Sequence, residues 1–426
     1  MPMESASSEF TKVCVVGLGY VGLPTAAVFA SRGLDVLGYD VDAETVSLIN
    51  DGKVHIVEPD LDILVNGAVA RGKLSAATEP APADVFIIAV PTPFTTNNKP
   101  DLRHLEAAAA SIAPVLSANN LVIVESTSPV GTTEAFSSWL AEKRPDLSFP
   151  HTAGERADVC LAHSPERVLP GRVLIELTRN DRVVGGLTRR CAEQAAAFYK
   201  IAVEGKCLLT TARTAELVKL AENAYRDVNI AFANEMSAVC DAMDIDVWEA
   251  IELANHHPRV NVLQPGPGVG GHCIAVDPWF IVDSAPDVTP LIQAARHVND
   301  AKPKRVVEAV KNAVAGIENP TAACLGLAYK ADIDDLRESP AVEITRALAW
   351  KLGGRVLAVE PHISKLPAPL AELKNLTLCD LETAYDEADV IVLLTDHSAF
   401  KALPPTPRDD QVIIDTRGAW KDLERN

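Results

Sequence analysis

From Val13 to Ala30 the chain carries no charge, and within those eighteen residues a β-branched run gives way abruptly to Gly17, Gly19, Gly22 and Pro24. An uncharged stretch of that length raises the question of a membrane span. The glycines and the proline decide against it. A strand at Val13–Val16, a tight turn and the start of a helix fit better than one long helix. A chain that opens this way packs a helix back onto a sheet, and no membrane segment remains.

The alternation continues. Val36–Tyr39, Val85–Val90 and Leu121–Glu125 are short Val/Ile-rich runs bounded by turn residues, separated by helical stretches such as Leu105–Leu116. Further strands are predicted at Val159–Ala162, Arg182–Val184 and Lys206–Leu209. This is the pattern of a parallel sheet covered on both faces by helices. The C-terminal third repeats the order. Ala323–Leu327 echoes Val13–Gly19, Arg355–Glu360 echoes Asp35–Asp40, Ala388–Leu394 echoes Ala83–Ala89, and Gln411–Asp415 echoes Leu121–Glu125. The expected class is therefore α/β: two Rossmann-like, doubly wound domains joined by a helical segment. Arg213–Met243, free of Gly and Pro, supplies a connecting helix that would span ~46 Å. The expected boundaries are a loose tail at 1–11, a first Rossmann domain at 12–210, a helical segment at 211–300 and a second Rossmann-like domain at 301–426. The 426 residues suit about three domains.

Lys plus Arg is 39 and Asp plus Glu is 58, a formal net charge of −19. That balance argues against a nucleic-acid binder and against a polybasic membrane-surface protein. The eight cysteines are scattered, with no CxxC pair and no metal-ligand spacing, which reads as reduced thiols of a cytoplasmic protein without a metal. Met1–Thr11 lacks the basic end and apolar stretch of a signal peptide.

Gly17-Leu18-Gly19-Tyr20-Val21-Gly22 is a GxGxxG directly after a strand. The first glycine permits the tight turn, the second lets a pyrophosphate approach the backbone, and the third lets the helix pack closely on the strand. Asp40 ends the next strand, about 20 residues on, where a carboxylate can accept from both ribose hydroxyls and would repel a 2′-phosphate. NAD is thus expected over NADP. The second glycine cluster, Gly326 to Lys330, has Ala328 in place of the second glycine, which argues against a dinucleotide there.

The densest segment is Gln264–Phe280, QPGPGVGGHCIAVDPWF. Gly266, Gly268, Gly270 and Gly271 suggest a backbone unshielded by side chains, ending on Cys273, with Asp277 four residues later. A thiol beside open N–H groups can act as a nucleophile whose oxyanion is held locally. A lone cysteine is more often a small buried hydrophobe, and only this setting favours the reactive reading. His272 is left without a role. On the long helix, Lys219, Asn223 and Arg226 share one face, and polar groups on a buried helix need partners, a ligand among the candidates.

With these motifs in hand, the chain resembles the UDP-glucose/GDP-mannose dehydrogenase family from about Lys12 to the C-terminus. The resemblance is carried by GLGYVGLP (Gly17–Pro24), VPTP (Val90–Pro93), ESTSPVGTT (Glu125–Thr133), SPERVLPGR (Ser164–Arg172), HPRVN (His257–Asn261), the cysteine segment and LAYKADIDDLRESP (Leu327–Pro340). Within the family, members that oxidise UDP-glucose carry a CFPKD-like run where this chain has CIAVD. Those that oxidise UDP-N-acetylglucosamine carry an acidic SPEREDPG-like segment where this chain has Arg167-Val168-Leu169-Pro170-Gly171. Both differences make it more similar to the branch acting on UDP-N-acetylmannosamine, with UDP-N-acetylglucosamine as the alternative and an inactive NAD-binding regulator as a remote one.

The resemblance implies a four-electron oxidation of a UDP-N-acetylhexosamine C6 alcohol to a carboxylate, using two NAD in turn, for cell-surface polysaccharide. It implies Cys273 as nucleophile, Lys219 as acid/base or oxyanion partner, and Asp277 with Glu166 ordering water. Gly17, Gly19, Tyr20, Val21, Gly22, Asp40, Thr92 and Thr127 would receive NAD. Arg167, Val168, Lys219, Asn223, Arg226, His257, Arg259 and Gly270 would line the sugar-nucleotide site, with Lys330 and Arg337 where substrate and cofactor meet. The basic members of that set would create a local positive field in an acidic chain. A homodimer through the long helix is expected, with Arg259 reaching the neighbour's sugar site by the same resemblance.

Overall fold

The computed structural model describes residues 10–95, 99–169, 171–271 and 274–421. Among the described residues thirteen strands form two sheets. The first holds β1 (Lys12–Val16), β2 (Asp35–Tyr39), β3 (Leu74–Ala77), β4 (Val85–Ile88), β5 (Leu121–Val124), β6 (Cys160–His163), β7 (Arg182–Gly186) and β8 (Cys207–Thr211), in the order β3-β2-β1-β4-β5-β6-β7-β8. The second holds β9 (Thr321–Leu325), β10 (Arg355–Val359), β11 (Leu376–Leu378), β12 (Val390–Leu393) and β13 (Val412–Asp415), in the order β11-β10-β9-β12-β13. Each sheet has its first strand central and reverses direction of growth beside it, between β1 and β4 and between β9 and β12. This is the doubly wound arrangement.

The chemistry of the strands explains their place. Val13 and Val15 of β1 enter the hydrophobic core on one face of the sheet, while Cys14 and Val16 enter the core on the other. β9 does the same, with Ala322 and Cys324 on one face and Ala323 and Leu325 on the opposite one. Strands apolar on every residue need a helix layer on both sides. All four sequence echoes fall on structurally equivalent pairs: β9 with β1, β10 with β2, β12 with β4 and β13 with β5.

Two features depart from the sequence reading. The edge strands β3 and β11, LSAA and LTL, were not anticipated, because they are short and lack a β-branched run. The first sheet is also not wholly parallel. β6 and β7 pair antiparallel, Ala162 opposite Gly186 and His163 opposite Gly185, and β8 then follows β7 in parallel. No local sequence signal marks the direction of a strand.

The chain divides into two compact units, one of residues up to Ala221 with Trp279–Ser284, the other of Glu222–Pro278 with the residues from Ala285 on. The long helix, Ala212–Met243, begins in the first and continues into the second. In the first unit its Glu216 is buried and accepts from the backbone N–H groups of Gly131 (2.6 Å) and Thr133 (2.8 Å), at the start of the helix Thr132–Lys143. In the second, Asp227 meets Arg296 of the helix Pro290–Ala313 at 2.5 Å, with the two side chains 0% and 2% exposed. Asn299 donates to Asp227 at 2.7 Å and accepts from Asn234 at 2.9 Å, and Asn234 accepts from the N–H of Gly266 at 2.9 Å. A buried polar chain between the two helices thus ends on the glycine-rich segment. Among the described residues no helix is long and apolar enough to cross a membrane.

Arg296→Met keeps much of the stem and removes the charge, leaving Asp227 buried without its cation. The variant should lose roughly 3–5 kcal/mol of stability, read from the urea unfolding midpoint.

Candidate active site

The turn after β1 is built for a phosphate. Gly17 has φ +91°, and a Cβ there would lie 2.7 Å from the carbonyl oxygen of Ala89. A Cβ on Gly22 would lie 1.8 Å from the carbonyl oxygen of Gly17, so the helix Gly22–Ser31 can sit this close only with glycine. At Gly19 a Cβ would meet nothing within 4 Å, which leaves that side of the backbone open. The helix has no acidic residue in its first turn, so its positive end faces no competing carboxylate. Asp40, half-buried at the end of β2, accepts from the N–H of Leu18 at 2.8 Å and of Asp42 at 3.0 Å. Each of its oxygens keeps further acceptor capacity.

Neighbouring strand ends complete this rim. Thr92, in the loop after β4, donates to the carbonyl of Thr127, after β5, at 2.5 Å. Just beside them Glu125 is buried and accepts from Arg182 (2.9 Å) and Tyr199 (2.6 Å), and the Arg182 guanidinium lies 4.3 Å from the centroid of the Tyr199 ring. The reversal of β7 has its use here. It carries the first residue of that strand, Arg182, past the carboxyl end of β6, where it meets Glu125 just after β5.

β6 ends on His163 and leads into Ser164-Pro165-Glu166. Glu166 is 9% exposed, and burial pushes its carboxyl up, against the pull of the nearby positive charges of Lys219 and Arg182. His163 is fully buried, and burial together with the Lys219 charge drives its imidazole down to about 3, so it is neutral. The structure therefore brings Glu166, His163 and half-buried Lys219 into one electrostatic neighbourhood, with Lys219 held there one turn after Glu216. Arg167 donates to the carbonyl of Asp181 at 3.3 Å, and Val168 packs on the core of the sheet.

In the second unit Asn223 donates to Asp277 at 2.5 Å. Asp277 is 3% exposed and opens the helix Asp277–Ser284. Cys273 and His272 lie outside the described residues. The glycine-rich segment before them is not the unshielded backbone expected. A Cβ on Gly270 would meet Pro340 Cδ and Tyr329 Cβ, each at 2.7 Å, and Gly271 (φ +84°) is buried under the Tyr329 ring. These glycines are there to let the segment pack against the 329–340 loop, which also carries Lys330 and Arg337. Lys330 is half-buried, and Arg337 is exposed and paired with Asp335 at 2.6 Å. Arg226, His257 and Arg259 are all exposed, with His257 Nδ1 accepting from the Arg259 N–H at 3.3 Å.

The second glycine turn is spent internally. Buried Glu360, at the end of β10, accepts from the N–H groups of Leu327 (2.7 Å) and Ala328 (3.0 Å) and pairs with His397 Nε2 at 3.1 Å. Asp332, His362 and His397 present ligand atoms within 4.8 Å of one another. Yet His397 Nδ1 accepts the Asp332 N–H at 2.9 Å, so both its ring nitrogens are committed within the protein.

Comparison with known proteins assigns this arrangement. The NAD binding domain of the UDP-glucose/GDP-mannose dehydrogenase family matches residues 11–203, its central domain 213–301 and its UDP binding domain 323–422. The chain belongs to the UDP-glucose/GDP-mannose dehydrogenase family. It is similar to an NDP-N-acetyl-D-galactosaminuronic acid dehydrogenase of Ralstonia nicotianae, 58% identical over 412 residues and 97% of each chain. A UDP-N-acetyl-D-mannosamine dehydrogenase of Yersinia pestis is 57% identical over 421 residues, 97% of this chain and 100% of that one. Among solved structures, a UDP-D-ManNAc dehydrogenase from Pyrococcus horikoshii superposes with a TM-score of 0.85 at 38% identity, covering 96% of each chain. This member of the UDP-glucose/GDP-mannose dehydrogenase family is an NAD-dependent nucleotide-sugar dehydrogenase. The open backbone at Gly19 and the unopposed helix end fit NAD.

Sequence reasoning missed the groups that support the rim. Arg182 was read only as the start of a strand and Glu125 only as part of a motif; an arginine opening a Val-rich strand gives no signal by itself, since Arg355 does the same in β10 and is exposed. His163 and Glu216 carried no mark either.

A carboxyl whose folded pKa is raised favours the fold below its unfolded pKa and gives up that stability as pH rises through the folded value. Glu166→Gln should therefore melt higher than the parent at pH 8, the gain vanishing as pH falls to about 4. Calorimetric melts at both pH values test this.

Proposed function

We propose that the chain oxidises the C6 alcohol of UDP-N-acetyl-D-mannosamine to the carboxylate of UDP-N-acetyl-D-mannosaminuronate, with two NAD consumed in turn, as a step toward cell-surface polysaccharide. The observation that carries the chemistry is the pairing of roles along one helix: Lys219 acts electrostatically on Glu166, and Asn223, one turn later, holds Asp277. The choice of sugar is supported by the mannosamine relatives and by the CIAVD and RVLPG segments. The three-part division at 12–210, 211–300 and 301–426 belongs to the same reading.

NAD, held by Gly17, Gly19, Tyr20, Val21, Gly22, Asp40, Thr92 and Thr127 with Lys330 and Arg337, supplies the hydride acceptor for both oxidations. The protein's residues do the rest. Lys219, as acid/base, takes the alcohol O–H proton when the C6 hydride departs and donates to the same oxygen when negative charge develops on it. The Cys273 thiolate adds to the C6 aldehyde, forming a C–S bond and a thiohemiacetal that cannot diffuse away. Oxidation of that adduct leaves a thioester. Water then adds to the carbonyl, the C–S bond breaks, and the sulfur leaves as thiolate, giving the carboxylate. Asp277 and Glu166 orient that water and take its protons, and burial, which pushes the Glu166 carboxyl above its ordinary range, suits it to hold one. Arg167, Val168, Asn223, Arg226, His257, Arg259 and Gly270 line the sugar-nucleotide site.

A second reading is favoured by the Ralstonia relative: an N-acetylgalactosamine nucleotide as substrate. NADH formation on UDP-N-acetyl-mannosamine, -glucosamine and -galactosamine separates them. Two NADH per sugar, fastest on the mannosamine compound, is the expected result. Preference for the galactosamine compound would overturn the sugar assignment. Cys273→Ala should give almost no steady-state NADH, but about one per sugar when a carbonyl trap removes the aldehyde.

The same proposal includes a homodimer through the long helix. Leu217, Tyr225, Phe232, Val239 and Met243 are exposed on it, and Tyr225, Phe232 and Val239 recur at seven-residue spacing. Such a seam is what a helix offers a second helix. Light scattering should give a dimer for the parent chain and a monomer for Phe232→Glu.

A further inference from the structure

The helix Val173–Arg179 has no cap of its own. The Arg172 side chain before it makes no capping hydrogen bond, and the first N–H groups of a helix need acceptors. The acceptor comes from more than a hundred residues away. Glu58, 7% exposed, takes the N–H of Val173 on Oε1 at 2.7 Å and the N–H of Gly171 on Oε2 at 2.8 Å. Gly171 has φ +85°, so its N–H is presented from a left-handed turn. The other end of the loop is held locally, by the Leu169 N–H on Glu176 at 2.9 Å. Glu58 is in turn reached from the dinucleotide turn. The Tyr20 hydroxyl lies 3.2 Å from the carbonyl of Val57, to which it donates, and 3.5 Å from Glu58 Oε2.

From this geometry we infer that Glu58 is a positioning residue: its carboxylate fixes Gly171 and Val173, next to the stretch that presents Arg167 and Val168 to the sugar nucleotide, and registers them against the dinucleotide turn through Tyr20. The inference rests on the proposed roles of that segment. A glutamine cannot replace the carboxylate. One of its two terminal atoms is an NH2 donor, which would face an N–H donor. Charge-assisted bonds to backbone N–H groups are among the stronger anchors a loop can have.

The test uses the full-length enzyme. Glu58→Gln should raise KM for the UDP-sugar about tenfold while KM for NAD stays within about twofold. Amide hydrogen exchange at Gly171 and Val173 should quicken, a readout that needs no substrate. Glu58→Asp, which keeps the charge one methylene short, should show a smaller rise in the same KM, and it serves if the glutamine variant does not fold. A sugar KM unchanged in the folded variant, or equal losses for sugar and NAD, would overturn the inference. Failure of the parent enzyme to oxidise any UDP-sugar would instead sink the proposed function, and the exchange measurement would still report whether Glu58 holds the loop.

Discussion

Both sheets depend on one interaction: a carboxylate at the end of the second strand is fastened to the backbone of the turn that follows the first. Asp40 takes the Leu18 N–H in one, and Glu360 takes those of Leu327 and Ala328 in the other. Without such an acceptor, a glycine turn in positive φ would leave backbone donors unpaired next to a buried strand. The two copies have diverged in what remains. Asp40 is half-buried and leaves acceptor capacity facing an open Gly19. Glu360 is buried, takes His397 as well, and closes its turn. A motif that in one copy meets a dinucleotide is in the other a joint of the fold.

The rest of the site is positioned by polar groups inside apolar layers. Glu125, Arg182 and Tyr199 tie the ends of β5 and β7 to the helix Arg189–Tyr199. Asp227, Arg296, Asn299 and Asn234 tie two long helices together and end on Gly266. Buried pairs of this kind contribute little net stability, but losing one partner is costly, so they serve geometry more than stability.

The sequence was most legible where burial is complete. β1, β4, β5, β9 and β12 are apolar on successive residues because both faces are covered, and the two copies could be aligned by eye. The long helix was legible for want of Gly and Pro, beginning at Ala212 where Arg213 was expected. Of the edge strands, β8 and β13 were anticipated and β3 and β11 were not, since LSAA and LTL are short and lack a β-branched run. The glycines at 266–271 were read as open backbone when their role is close packing on Tyr329 and Pro340. A glycine says that a side chain would not fit, and not whether protein or ligand occupies the space. Contacts such as Arg182 on Glu125 join residues far apart in the chain, and no local pattern encodes them.

Glu216 holds the Thr132 helix through backbone N–H groups, as Asp40 holds the glycine turn, with no mobile cation as counterpart. Salt screens exposed charges within about 8 Å at physiological ionic strength and buried contacts far less. Rising ionic strength should therefore leave this scaffold intact while weakening only the attraction of arginines and lysines for phosphate. In a chain of net charge −19, the tolerance of the framework and the salt sensitivity of its ligands become separable properties.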